Sequence, residues 1–114
     1  MDLATERQGG VLVVRVEERR LDAAIAIQFK DALRRTADAG ANRVVLDLSD
    51  VEFLDSSGLG ALVAAMKQLG PGCPLDLAGP QPPVERVLRL TRMDSVFSVF
   101  ADVQTALRNH AVAG

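Results

Sequence analysis

Short apolar runs alternate with segments of helical spacing along this chain, and no other feature constrains its fold as much. The apolar runs have the length and the aliphatic content expected of strands, and they cover residues 11–16, 44–48, 75–78 and 96–100. Between them, apolar side chains recur every three or four residues, as in amphipathic helices. Strands separated by helices pair in parallel through right-handed crossovers. The sequence therefore predicts an α/β domain.

The start of the chain adds an antiparallel pair to this pattern. A short strand near Leu3 to Arg7 and the strand over 11–16 flank Gly9-Gly10, which is typical of a tight hairpin turn. Such a hairpin predicts a mixed, mostly parallel sheet of four to five strands. About four helices complete the order β-β-α-β-α-β-α-β-α, which fills residues 1–114 as a single domain.

Capping and stop signals predict where the four helices begin and end. These signals are Asp22 and Gly40 for the first helix, Gly70-Pro71 after the second, Pro82-Pro83 at the start of the third, and Asp102 before a fourth that runs through about Asn109.

Length and cysteine content predict one core without covalent or metal support. A chain of 114 residues, 48% of them apolar, buries roughly 65% of its unfolded surface. The single cysteine, Cys73, excludes an internal disulfide and a zinc site built from several cysteines. We expect Cys73 to serve as a partly buried apolar residue.

Charge and aromatic content argue against nucleic acid as a partner. The net charge is −2, and the chain has four Phe but no Trp or Tyr, so it offers neither a phosphate-binding surface nor a stacking platform. No apolar stretch approaches the ~20 residues that span a bilayer, and the first residues do not resemble a signal peptide. We therefore expect a cytoplasmic protein without direct membrane insertion.

Polar and very small residues cluster where the strand at 44–48 gives way to the second helix. Asp55, Ser56 and Ser57 can each accept hydrogen bonds from the free N–H groups of a helix start, so capping alone is one interpretation. Capping does not explain Gly58 and Gly60, each of which costs up to ~1 kcal/mol relative to Ala in a helix. Bare backbone there indicates close approach by a phosphate, a partner or another strand.

Enzyme motifs do not fit this segment. Neither serine has the flanking glycines of a nucleophile elbow, and the only histidine, His110, lies near the end of the sequence. The glycine pair lacks the third glycine of a dinucleotide fingerprint, and no phosphate-binding loop is present. We expect no catalytic residue, no cofactor and no metal, and we interpret four nearby acidic residues as solvated loop charges: Asp47, Asp50, Glu52 and Asp55.

The residues over 44–49 and 51–60, with Asp55-Ser56-Ser57-Gly58 at their centre, resemble the signature of the STAS domain of bacterial anti-sigma factor antagonists. The similarity extends across nearly the whole chain, because Leu21-Asp22-Ala23-Ala24 and residues 87–91 with Asp94 and Phe97 also look like family features.

This resemblance implies a switch serine at the start of the second helix. In the family, the switch directly follows the motif's Asp, which corresponds here to Ser56 after Asp55. An anti-sigma factor that is itself an ATP-dependent serine kinase phosphorylates it. The unphosphorylated domain binds that kinase and frees the sigma factor, phosphorylation breaks the complex, and a metal-dependent phosphatase acting on phospho-Ser56 resets it.

The resemblance also implies the partner-binding residues: Asp22, Asp55, Ser57, Gly58, Leu59 and Gly60. Ile25 departs from the family, since many relatives carry a polar residue there. Ser57 is the alternative phosphorylation site. Because Ser57 lies farther into the helix start, we expect its hydroxyl to turn towards free N–H groups and to leave that of Ser56 more accessible.

Two other functions remain open from the sequence. A STAS domain can be a regulatory subunit of a membrane transporter, as in lipid-transport ABC complexes, and the glycine pair is compatible with a small-molecule or nucleotide sensor. A neighbouring gene for a small histidine-kinase-like ATPase would favour the sigma pathway, whereas genes for a permease and an ABC ATPase would favour the transporter.

Overall fold

The computed structural model describes residues 3–37 and 40–109, which form seven strands and four α-helices. The strands are β1 (Leu3–Gln8), β2 (Val11–Val16), β3 (Arg20–Leu21), β4 (Arg43–Asp47), β5 (Phe53–Leu54), β6 (Leu75–Ala78) and β7 (Val99–Phe100). The helices are α1 (Ala26–Ala37), α2 (Ser56–Leu69), α3 (Pro82–Leu90) and α4 (Val103–Arg108), and a 3₁₀ turn covers Met93–Ser95.

Five strands form the central sheet in the order β1-β2-β4-β6-β7. The β1–β2 hairpin is antiparallel, and every other pair in this sheet is parallel. The predicted mixed, mostly parallel sheet and the hairpin around Gly9-Gly10 are therefore confirmed. None of the helices in the described ranges is both long enough and apolar enough to cross a membrane.

The core lies on both faces of the sheet. On one face, fully buried Val44 and Leu46 of β4 belong to one cluster with Phe29 of α1 and Leu62 of α2. On the other face, a smaller cluster joins four side chains from β2, β4, β6 and α4: Val13, Val45, Ala78 and Ala106. Because β4 is covered on both faces, its residues are almost continuously apolar. Burying one Leu or Phe side chain contributes about 1.5–3 kcal/mol.

The first helix begins later than predicted. Asp22 does not cap α1 directly, because residues 23–25 form a turn in which the Ala24 N–H donates to Asp22 Oδ1 at 3.0 Å. The Ala26 N–H then donates to the Asp22 carbonyl at 2.9 Å. Asp22 thus stabilises the turn that leads into α1, and the helix starts at Ala26.

The strand predicted over 96–100 is shorter in the structure. Only Val99 and Phe100 pair with β6, because the N–H groups of Val96 and Phe97 donate back to the Met93 carbonyl instead of to a neighbouring strand. Phe97 is buried in the core at the end of this turn. Phe97 is therefore apolar because it packs in the core, although it does not pair with a strand.

A second, two-stranded sheet was not predicted. In it, β3 pairs with β5 in parallel, with Arg20 opposite Phe53 and Leu21 opposite Leu54. Each strand has only two residues, too few for alternation to be recognised in the sequence.

Candidate partner-binding site at the start of α2

The β3–β5 pair brings two predicted site residues, Asp22 and Asp55, to the same corner of the molecule. Each follows the last residue of its strand, and the strands run in parallel. The Asp55 N–H donates to the Leu21 carbonyl at 3.3 Å, which fixes the two segments to each other. The corner also contains the start of α2, so the predicted serines lie there too.

Asp55 caps α2. Its backbone is extended, with φ −108° and ψ −174°, and its Oδ1 accepts a hydrogen bond from the Gly58 N–H at 2.9 Å. Such a cap contributes about 0.5–2 kcal/mol, and a carboxylate at a helix N-terminus is further favoured by the helix dipole. The predicted capping role of this segment is therefore taken by Asp55.

Ser56 and Ser57 occupy the first two positions of α2, and both are exposed. Within residues 3–37 and 40–109, neither hydroxyl has a hydrogen-bond partner, and the N–H that we expected Ser57 to engage is bound by Asp55 instead. The hydrogen bond expected of the Ser57 hydroxyl is therefore not formed among the described residues, and both serines are exposed. Assignment of the switch to Ser56 rests on the motif alone.

Gly58 is buried and has a packing role. A Cβ on Gly58 would collide with the Leu21 carbonyl oxygen and would lie 2.7 Å from the Leu21 carbonyl carbon and 2.9 Å from Leu54 Cδ1. Gly58 is therefore closely approached by another strand, β3, and not by a phosphate or a partner. Gly58 therefore lies beneath the candidate site and is not exposed for contact.

Gly60 and Leu59 differ from Gly58. A Cβ on Gly60 would meet nothing within 4 Å, so neither packing nor backbone geometry requires a glycine there. Leu59 is half-buried and packs against the core. Of the predicted site residues, Ser56, Ser57 and Gly60 are exposed, and Asp22, Asp55 and Leu59 are half-buried.

Arg20 and Phe53 complete this corner and were missed by sequence reasoning. The Arg20 guanidinium carbon lies 4.1 Å from the centroid of the Phe53 ring, and its Nε donates to Asp22 Oδ2 at 3.1 Å. This hydrogen bond lowers the pKa of Asp22 below its usual value. Phe53 is 39% exposed, so its ring is accessible at this corner. No local signal marks the pair, because only the strand register brings the two residues together.

The other acidic residues near the site are paired with protein groups, two of them with arginines distant in the sequence. Asp47 accepts from the Ser49 N–H at 3.0 Å, and Glu52 lies 3.8 Å from the Arg19 guanidinium. Arg15 donates two hydrogen bonds of 3.0 Å to Asp50, which lowers the pKa of the Asp50 carboxyl. The part of the chain that the structure describes contains no cluster of His, Cys, Asp or Glu able to hold a metal ion.

Cys73 follows the C-terminal end of α2 and lies away from the site. Cys73 is half-buried, and desolvation raises the pKa of its thiol, which disfavours the reactive thiolate. His110 lies outside the described residues.

Comparison with known proteins agrees with this geometry. Residues 2–106 match the model of the STAS domain family, and the chain belongs to that family. The crystal structure of an anti-sigma factor antagonist from Mycobacterium paratuberculosis has a TM-score of 0.84 to this chain at 30% identity, covering 94% of this chain and 91% of that one. The predicted resemblance and fold class are confirmed.

Two relatives extend the comparison. The anti-sigma F factor antagonist of Paenibacillus polymyxa is 25% identical over 111 residues, or 94% of this chain and 92% of that protein. A Thermotoga maritima protein classed as an anti-sigma factor antagonist is 38% identical over 69 residues, which cover 60% of this chain and 61% of that protein. The match thus spans about three fifths of the Thermotoga relative.

Proposed function

We propose that this chain is an anti-sigma factor antagonist that binds an anti-sigma factor serine kinase and so releases the sigma factor. Phosphorylation of Ser56 ends the binding. The observation that carries this proposal is the exposed Ser56 side chain at the first position of α2, directly after the Asp55 cap, in a STAS domain. The names of the relatives support the same function.

The position of Ser56 suits a residue that is modified in the folded state. Its side chain is exposed at a corner, so the active site of a kinase can approach it without unfolding the chain. The backbone around it is fixed by the Asp55 cap and by the Asp55 to Leu21 hydrogen bond, so the serine is presented in one geometry.

Phosphorylation affects the fold and the complex differently. A phosphate adds about −1.5 to −2 charge, which the free N–H groups and dipole of a helix N-terminus favour. At a partner surface, the same charge must be desolvated beside Asp22 and Asp55, and an unpaired buried charge costs several kcal/mol. The modification therefore leaves the domain folded while weakening its complex.

The chemistry of the switch belongs to the partners. The kinase binds the ATP, and a metal-dependent phosphatase removes the phosphate from phospho-Ser56. This chain contributes the hydroxyl that is modified and has no catalytic role of its own. We accordingly expect only background turnover of generic ester and nucleotide substrates.

Capture from the native cell tests the proposed partner. The tagged chain is expected to retain a small histidine-kinase-like ATPase, and a phosphate on the chain should prevent the capture. Retention of a permease with an ABC ATPase instead would contradict the proposal and support a transporter subunit.

Phosphorylation by the captured kinase tests the proposed switch. Incubation with ATP followed by mass spectrometry should place the phosphate on Ser56, and Ser56→Ala should abolish it while Ser57→Ala retains it. Labelling that survives in Ser56→Ala and is lost in Ser57→Ala would move the switch to Ser57.

A further inference from the structure

We propose that Arg20 is a specificity-determining contact that binds a carboxylate of the anti-sigma factor kinase. This inference rests on the proposed function and deepens it by naming a recognition residue outside the serine motif. It starts from the arrangement of the Arg20 guanidinium, which is stacked on Phe53 and held by Asp22 at the corner occupied by Ser56.

The arginine is held in place yet open to solvent. Its side chain is 60% exposed, but the Phe53 ring supports one face of the guanidinium and Asp22 binds its Nε. Within residues 3–37 and 40–109, its Nη1 and Nη2 atoms have no hydrogen-bond partner. A guanidinium fixed in this way loses less conformational entropy when a partner binds. Its remaining N–H donors match the geometry of a carboxylate.

Three other arginines of the described ranges, Arg15, Arg43 and Arg19, do not combine these features. Arg15 donates both Nε and Nη2 to Asp50, so its fork is already occupied. Arg43 is buried and bound to Asp76 and the Ala106 carbonyl. Arg19 is adjacent to Arg20 and 84% exposed, and it approaches Glu52 at 3.8 Å without being held on an aromatic ring. Arg20 is thus suited to recognition, and Arg19 is a matched control.

The open Nη donors of Arg20 favour an acidic partner group. Arg20 pairs with Phe53, which precedes Ser56 by three residues, so we expect a partner carboxylate bound by Arg20 to lie near the proposed switch serine. A phosphate on Ser56 would repel that carboxylate and would also compete for the guanidinium. One contact therefore provides both affinity and sensitivity to phosphorylation, and we expect Arg20 and Ser56 to be energetically coupled.

Titration calorimetry with the full chain and the captured kinase tests the contact. We expect Arg20→Gln to weaken binding at least about tenfold, which corresponds to ~1.4 kcal/mol. Arg20→Lys keeps the charge but not the planar fork, so its affinity should fall between those of Arg20→Gln and the wild type. Arg19→Gln removes the same charge from the neighbouring residue and should bind like the wild type. All three variants should melt close to the wild-type temperature.

A double-mutant cycle with Ser56→Asp tests the coupling. In that background, we expect Arg20→Gln to weaken binding less than about threefold, because the contact is already disturbed. Wild-type affinity in Arg20→Gln, or an equal loss in Arg19→Gln, would overturn the inference and leave the proposed function intact. An effect of Arg20→Gln on the phosphorylated chain alone would assign Arg20 to the chain's own phosphate and also overturn it. Failure of the wild type to bind the kinase would contradict the proposed function and this inference with it.

Discussion

At the scale of single residues, only one of the two glycines of the motif is required by the fold. Gly58 lies under the Leu21 carbonyl, where any side chain would collide with backbone, whereas a Cβ on Gly60 would point into open space. The collision cannot be relieved by a side-chain rotation, because the atoms in the way belong to the β3 backbone. Gly58 is therefore a requirement of the fold, and Gly60 is not.

Alanine at each position separates the two roles. Gly58→Ala is expected to destabilise the domain by about 1–3 kcal/mol through overpacking. Gly60→Ala is expected to stabilise it by up to ~1 kcal/mol, because alanine favours helix and nothing obstructs its methyl group. Urea unfolding of the two variants measures both effects. Equal stabilities would contradict the packing assigned to Gly58.

The Asp22 carboxylate gives the same corner a dependence on pH. Because Arg20 lowers the pKa of Asp22 in the folded state, the unfolded chain binds this proton more readily. The stabilisation is therefore fully present above the usual aspartate pKa of about 3.9 and is lost as the pH falls through the lower folded value.

Removal of the guanidinium tests this origin of the pKa shift. In Arg20→Gln, the pKa of Asp22 should rise towards its usual value, and Arg19→Gln should leave it unchanged. Titration of the carboxyl carbon by NMR measures the pKa directly. An Asp22 pKa that stays low in Arg20→Gln would show that the backbone N–H groups of the turn cause the shift instead.

At the scale of elements, the sequence predicted those parts whose pattern is long enough to repeat. The strand over 44–48 is a continuous apolar run, and the helix with Leu59, Leu62 and Met66 repeats its apolar spacing over several turns; each agrees with the structure to within a few residues. The two-residue strands β3 and β5 have no such pattern. Their pairing depends on tertiary contacts, and with it the Arg20–Phe53 stack that no local signal predicted.

The candidate site was predicted to a similar extent. Asp55 and the serines carry a motif in consecutive residues, so their place at the start of α2 was correct. The N-cap assigned to Asp22 and the strand at Val96 were wrong, because in both places backbone N–H groups bond within a local turn. Exposure of Gly58 was not assessable from sequence, since it depends on the strand that crosses above it.

A buried ion pair joins two strands to the last helix. Arg43 of β4 binds Asp76 of β6 at 2.7 Å and donates to the Ala106 carbonyl of α4 at 2.9 Å. The Arg43 and Asp76 side chains are only 8% and 13% exposed. Desolvation offsets much of the attraction in such a pair, but removal of one partner leaves the other charge buried without compensation.

This asymmetry predicts the behaviour of three variants. Asp76→Ala should destabilise the domain by about 3–5 kcal/mol, because the Arg43 guanidinium loses its carboxylate in a nearly dry position. The double variant Arg43→Met with Asp76→Leu should lose much less, since no charge remains buried. Arg15→Met, which breaks an exposed pair, should cost far less than Asp76→Ala. Chemical denaturation compares them, and a double variant as unstable as Asp76→Ala would contradict the prediction.

At the scale of the whole molecule, the core that stabilises the fold and the proposed switch occupy different parts of the structure. The packed core covers both faces of the five-stranded sheet, whereas the proposed switch lies on an exposed corner formed by β3, β5 and the start of α2. A change of charge at Ser56 is therefore expected to alter the surface that a partner meets without disturbing the core.

Ser56→Asp tests this separation of fold from function. The aspartate adds about half the charge of phosphoserine at a helix N-terminus that favours an anion, so the thermal midpoint should stay close to that of the wild type. Binding to the anti-sigma factor kinase should weaken at least about tenfold, or ~1.4 kcal/mol, because the new charge must be desolvated beside Asp22 and Asp55. Calorimetric titration and thermal melts of the same preparations measure both. Unchanged affinity would place the serine outside the interface, and a collapsed melt would mean that Ser56 serves the fold alone.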